Sequence, residues 1–496
     1  MRPKLELLEP ELVDRVLGEA FELLMNPGVK VPSLEARELL AQAGATIDGE
    51  VAHISEALAR RQLSTVPLEF WVHDRAGHPA VHYGGDDVHY GGDDVHFDPG
   101  SSGVQILDPD TLEHRPAQAN DLVRLIKTAE MVDKGSTMPQ YAAQSTAVVC
   151  NDVPKSIGDL YRLFLVLWYS DKPIVTGSFN AHTTQVMIDL LALDCGGREA
   201  LKARPRAVFD VCPSPPLNWS EFASQNLMDL ARTGVPAEIV SMPLAGVTAP
   251  VTLIGAITQH AAECISGMTI HQLAGRGSPI VWGGAPAIFD MRSGATPMGA
   301  IETAMIDAAY AQVGKSLGMP THCYLCASDG KLVDAQAGLE SGMTALVGAL
   351  AGVNMISGAG MLDFLVCQSA EKLVIDAEAI AMAQRLLRGI ATPTETLATA
   401  MFAQTGLKGE FLKLKDTRRL FPQEQHLPSK VIDRGSMRVW QESGSLDAFG
   451  RAKIRVTELL AAYQRPMLTP EVERELVTLV QREARAVGME TLPGVL

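Results

Sequence analysis

Short apolar segments alternate with longer amphipathic ones through the middle of this chain, and few folds accept that alternation. The strand candidates are Val104–Leu107, Met138–Tyr141, Pro173–Thr176, Ala207–Asp210, Glu238–Ser241, Ile280–Gly283, His322–Leu325 and Asn354–Ser357. Eight βα units close a barrel, with the parallel sheet inside and the helices outside. The first candidate has a second assignment, because Val104–Leu107 also suits a preceding hairpin. The competing architecture is an open doubly wound sheet, but no GxGxxG follows the first strand. The expected fold is therefore α/β, a TIM (βα)8 barrel.

The run from Cys326 to Phe364 shows the unit in full. Ser328-Asp329-Gly330 is turn chemistry. Asp334 to Leu350 reads as a helix rich in Ala and Gly, able to lie close to a sheet, with Asp334 as its cap. Asn354–Ser357 follows as a strand, and Gly358-Ala359-Gly360 lets the chain leave it sharply.

Three regions are expected. Residues 1–100 hold helices at Glu11–Leu24, Ser33–Ala43 and Ser55–Leu63, then a β-hairpin of Phe70–His73 and Ala80–Tyr83. Residues 101–400 form the barrel. Residues 401–496 form a helical arm, with helices at Leu446–Tyr463 and Pro470–Val487, suited to clasp a second copy in a homo-oligomer.

The formal charge of −16 argues against nucleic acid and anionic membranes as partners. No apolar run is long enough to span a bilayer, and the N-terminus lacks a signal-peptide pattern. Seven scattered cysteines fit a reducing cytoplasm.

Several blocks together carry a resemblance. They are LDPDTLEHRPAQANDL from Leu107, PLAGVTAPVTL from Pro243, SDGKLVDAQAGLE from Ser328 with ALAGVNMISGAGMLD and EKLVIDAEAIAMAQRLLRGI after it, and SMRVWQESGSLDAFGRAKIRVTELL with LTPEVERELVTLV in the tail. They resemble the trimethylamine methyltransferase family, whose members move a methyl group from an amine to a corrinoid protein. The resemblance spans nearly the whole chain and implies a TIM barrel. One branch of the family carries pyrrolysine, whereas this chain shows only standard residues. It looks like the other branch, which acts on quaternary amines such as glycine betaine, proline betaine or carnitine. The implied acceptor is the Co(I) centre of a separate corrinoid protein, in methanogenesis or one-carbon metabolism. The chain itself is expected to bind no cofactor. Two alternatives stand beside this reading: direct methyl transfer from a betaine to tetrahydrofolate, and a barrel that binds betaines without catalysis.

The chemistry explains why so few reactive residues are needed. The nucleophile belongs to the cofactor. A quaternary ammonium leaves as a neutral amine, so no general acid is required. Alignment of methyl, nitrogen and cobalt can contribute about 7–11 kcal/mol. The strand ends are rich in hydroxyl, small and aromatic residues and poor in charge, so no catalytic residue is expected from the chain.

A quaternary ammonium is held over aromatic faces. The candidates are Trp282, Phe364, Phe97, Tyr141 and Phe209, each of which also suits the core. Gln140, Ser357 and His322 are candidate donors to a substrate carboxylate. Gly283, Gly284, Gly358 and Gly360 are candidates to face the corrin, or else to permit barrel closure. No metal site is expected. Cys323 and Cys326 form a lone CxxC whose side chains point to opposite faces of a strand. His82 to His96 reads HYGGDDVHYGGDDVH, a tandem duplication. It reads as a lengthened hairpin with turns at Gly84-Gly85 and Gly91-Gly92.

Overall fold

Eight strands follow one another around a closed ring, each leading to a helix on the outside. They are β1 (His96–Pro99), β2 (Gln144–Ser145), β3 (Ile174–Gly177), β4 (Ala207–Val211), β5 (Ala237–Ser241), β6 (Ile280–Gly284), β7 (His322–Cys323) and β8 (Met355–Ala359). Parallel registers join β2 through β6, β7 to β8, and β8 to β1. A parallel bridge between Trp282 and Thr321 closes one seam. A 2.9 Å hydrogen bond from Ala142 N to Phe97 O closes the other. The outer helices are α1 (Ala119–Val132), α2 (Gly158–Tyr169), α3 (Ala181–Cys195), α4 (Glu221–Thr233), α5 (Leu253–Ala274), α6 (Ile301–Ser316), α7 (Ala335–Leu350) and α8 (Ala370–Leu387). The computed structural model describes residues 3–85, 95–134, 139–392 and 396–495.

Six strands stand where their apolar runs place them. The first two do not. β1 lies at His96–Pro99, so the barrel begins ahead of residue 101. Gln105–Leu107 pairs antiparallel with His114–Pro116, a hairpin that follows β1. β2 is Gln144–Ser145, and Tyr141 precedes it. The Met138 end of the predicted segment lies outside the described residues. So do residues 86–94 of the duplication, whose first copy begins in a hairpin strand and whose last histidine opens β1.

Alternation along the strands produces two apolar layers. Ile174, Phe209, Ile239, Trp282 and Ile356 point outward into the main core beneath the helices. Val175, Val208, Val281 and Met355 point inward and pack with Val72, Val81 and Tyr83. Those last three come from the antiparallel hairpin Glu69–His73 and Pro79–Gly84, which plugs the N-terminal end of the barrel. The helices Pro10–Met25, Leu34–Ala43 and Glu56–Leu63 pack on α5. Sandwiched between them and the barrel, α5 is buried continuously from Ala256 to Gln272 and has no solvent-exposed face there. On the other side, Ala448–Ala462 rests on α8 and α1, and Pro470–Ala486 rests on α3 and α2.

Asp307 on α6 is fully buried, and neither carboxylate oxygen has a hydrogen-bond partner. Burial alone pushes its pKa well above the usual carboxylate range. The folded state then holds a proton that the unfolded chain releases. Stability is therefore full below the unfolded carboxyl value and falls as pH rises. Asp307→Asn should stabilise the protein by roughly 1–3 kcal/mol at mildly alkaline pH. The gain should vanish in acid, as thermal unfolding at the two pH values would read.

Candidate functional site

With its N-terminal end plugged, the barrel opens at the C-terminal ends of its strands. There a cavity of about 370 Å³ is lined by residues that follow or end the strands. Ser101 and Ser102 come after β1, Ser178 and Phe179 after β3, and Asp210 and Cys212 from the end of β4. Met242 follows β5, Ala285 follows β6, Tyr324 follows β7 and Leu365 follows β8, while α4 contributes Phe222 and Asn226. Buried Oδ1 atoms of Asp210 and Asn226 have no hydrogen-bond partner, so two acceptors of the lining remain unused.

Below the cavity the lumen is polar and aromatic. Rings stack along it from plug to mouth: Phe70 on Tyr83 at 5.1 Å, Tyr83 near His322 at 6.3 Å, and His322 on Tyr324 at 5.3 Å between centroids. Three acids point into the same space, Asp98 from β1, Asp210 from β4 and Glu238 from β5. Ser357 Oγ donates to Asp98 Oδ1, so its one proton is committed. His322 Nε2 is hydrogen-bonded to the same Ser357 Oγ at 2.6 Å. His322 Nδ1 lies against Glu238 Oε2, in contact but without the direction of a hydrogen bond. Burial explains how the two coexist. It lowers the His322 pKa to about 4 and raises that of Glu238 well above its usual range. Burial thus favours the neutral form of each. Asp98 is raised chiefly by burial. Asp210 is raised by burial and by the neighbouring Glu238, against the pull of a Tyr324 hydrogen bond. Among the described residues, no group of three or more His, Cys, Asp or Glu is arranged to hold a metal ion.

The loops above this lumen are tied down by local chemistry. Asp334 caps α7, accepting from Gln336 N at 2.9 Å and Ala337 N at 3.3 Å. Asp329 Oδ1 accepts from Met298 N and Gly299 N, joining the loop after β7 to the loop after β6. Lys331 is ion-paired to Asp363 at 3.3 Å. Asp363, Phe364 and Leu365 all have positive φ (50°, 56° and 66°), a left-handed run that side-chain-bearing residues adopt only at a cost. It brings Leu365 to the cavity and lays Phe364 under Lys331, with Nζ 3.9 Å from the ring centroid.

Comparison with known proteins agrees with this architecture. The family model described as trimethylamine methyltransferase (MTTB) matches residues 1–488. The chain belongs to that family. It is 31% identical over 493 residues to trimethylamine methyltransferase MttB2 of Methanosarcina mazei, covering 97% of this chain and 96% of that protein. It is 28% identical over 489 residues to the glycine betaine methyltransferase of Desulfitobacterium hafniense, covering 98% and 99%. Among solved structures, the monomethylamine methyltransferase MtmB of Methanosarcina barkeri superposes with a TM-score of 0.52 at 11% identity, covering 92% of this chain and 89% of that one. That likeness is one of fold.

In this member of the trimethylamine methyltransferase family, the residues singled out from sequence divide by strand face. His322 and Ser357 point into the lumen. Trp282 does not. It is fully buried on the outward face of β6, donates Nε1–H to Tyr310 O at 3.1 Å, and packs where a Cβ on Gly314 would fall. Phe97 and Phe209 are likewise outward and buried in the main core. Tyr141 is buried outside the barrel, its hydroxyl donating to Leu373 O at 2.6 Å. Gln140 precedes β2, at the rim opposite the cavity, where its backbone N–H donates to Asp133. Phe364 covers Lys331 and does not line the cavity.

The four glycines serve packing. A Cβ on Gly283 would strike the Glu238 carboxyl, and one on Gly284 would strike His260. One on Gly358 would strike Leu325 O, while Gly360 has φ 83° and abuts Gln368 and Leu373. Cys323 and Cys326 are buried thiols whose pKa values burial pushes far up. Sequence reasoning passed over Asp98, Asp210, Glu238, Phe179, Phe222 and Tyr324. A lone acid inside an apolar strand, as in AVFDV and AEIVS, was the available signal.

Placement in the core fixes the outcome for Trp282. Trp282→Ala should cost about 3–5 kcal/mol of stability in chemical denaturation. Ser357→Ala, which strips a partner from both His322 and Asp98, should cost roughly 1–3 kcal/mol.

Proposed function

We propose that the chain binds a small quaternary ammonium in the mouth cavity and presents an N-methyl group to the Co(I) centre of a separate corrinoid protein. The lining carries this reading. Phe179, Phe222, Tyr324 and Met242 surround a cavity with Asp210 in its wall, and the described lining residues include no histidine, lysine or arginine. A quaternary ammonium over an aromatic face gains about 0.5–2 kcal/mol per ring. Cys212 also lines the cavity, but no histidine there can take its proton, which makes it a poor nucleophile. The names of the relatives support the same substrate class.

When docked, the partner's corrinoid supplies the methyl acceptor. The chain's own residues hold the ammonium, keep water from it and fix the direction in which a methyl group points. Phe179, Met242, Val247, Val251 and Met291 stand exposed around the mouth, an apolar rim of the kind that receives a partner protein.

Asp210 adds a pH signature. Burial and the neighbouring Glu238 raise its pKa and favour the protonated form, whereas a cation seated beside it favours the carboxylate. Affinity for tetramethylammonium should therefore rise from mildly acid to mildly alkaline pH, with proton release on binding. Calorimetry in buffers of different ionisation heat reads both, and Asp210→Asn should flatten the dependence. For the reaction itself, mixing the protein with N,N,N-trimethylglycine and Co(I) cobalamin should bleach the Co(I) absorption. No bleaching, with turnover on tetrahydrofolate instead, would overturn the reading.

A further inference from the structure

Arg162 lies behind the cavity wall, and no acid among the described residues makes a contact ion pair with it. It sits on α2 and is 1% exposed. Nη1 donates to Ser102 Oγ at 3.1 Å and Thr146 O at 3.2 Å. Nε and Nη2 are buried with no hydrogen-bond partner. Asp159 and Asp210 act on the guanidinium only through space, so a buried guanidinium with two unused donor nitrogens stays costly unless an anion reaches them. The nearest acid in sequence does not serve. Asp159 spends Oδ1 on Leu160 N and Oδ2 on Phe179 N and Thr183 Oγ1.

Two lining residues connect Arg162 to the cavity. Ser102 takes its hydrogen bond and is held at φ 61°, a strained conformation for serine. The Phe179 ring covers the guanidinium, with its centroid 5.1 Å from Cζ, while Phe179 itself is 55% exposed. The opposite chemistry stands elsewhere in the same lining, where Asp210 and Tyr324 belong to the cation end.

We propose that Arg162 and Ser102, gated by Phe179, form a carboxylate subsite at the edge of the cavity, so that the substrate is a zwitterion carrying an anion as well as its quaternary ammonium. This rests on the methyl-transfer reading for the ammonium end and adds a second pole. The planar fork of an arginine suits a carboxylate and gives a simple alkylammonium nothing to bind.

Calorimetry of the full chain with N,N,N-trimethylglycine and with tetramethylammonium tests the proposal, run beside methyl transfer to Co(I) cobalamin. The wild-type chain should prefer the zwitterion. Arg162→Met should weaken trimethylglycine binding about ten- to hundredfold and leave tetramethylammonium binding unchanged. Arg162→Lys should recover part of the loss. A preference unchanged in Arg162→Met overturns the subsite. If that variant does not fold, Ser102→Ala decides. Lowered zwitterion affinity supports the subsite, and an unchanged preference overturns it. The two readings fail separately. Methyl transfer with no shift in preference removes the subsite alone, whereas a shift in preference without methyl transfer from either compound keeps the subsite and removes the transfer reaction.

Discussion

A closed parallel barrel has to fill its own interior, and the way this one does so governs everything above it. The apolar hairpin enters from one end and meets Val175, Val208, Val281 and Met355. Above that plug the filling changes to carboxyls, an imidazole and phenols. A polar group in such a place is tolerable only when neutral or hydrogen-bonded. Burial favours the protonated form of the acids and the uncharged form of the histidine, which keeps the net charge at the centre of the protein low. Of the three acids, Asp210 is the one that lines the cavity.

The same alternation that builds the barrel explains what was legible in the sequence. β3 through β8 are apolar runs whose outward residues bury under helices, and they stand where the pattern puts them. β1 and β2 are polar where they face the lumen: Asp98 interrupts HFDP, and Gln144-Ser145 has no apolar residue at all. Their hydrogen bonds, and not their side chains, make them strands. The site was misplaced for a related reason. Aromatics inside strands were candidates, but strand parity turns Trp282, Phe97 and Phe209 outward. The rings that reach the cavity, Phe179, Phe222 and Tyr324, lie just past strand ends or on the first turn of a helix. Aromatic rings do line the cavity, but they are not the ones carried inside the strands. Arg162 carried no signal in sequence, because a single arginine on an apolar helix reads as a structural salt bridge until its partners are counted.

The loops show how a family can keep the scaffold and alter the substrate. Asp329, Asp334 and Glu340 bind backbone amides and hold the exits of β6 and β7 in place. The lining residues make few such ties. Phe179, Met242 and Leu365 touch the cavity with side chains whose replacement would leave the barrel unaltered. Relatives that act on differently charged amines can therefore share this frame.

The chain Glu238, His322, Ser357 and Asp98 crosses the lumen from β5 to β1 by way of β7 and β8. Several of these strands pair over only a few residues, which by itself would permit slippage. A shift of one position would turn each of these groups out of the lumen and bring an outward-facing neighbour in. The buried polar chain thus acts as a combination lock on the shear of the barrel: only one alignment of strands seats all four residues together.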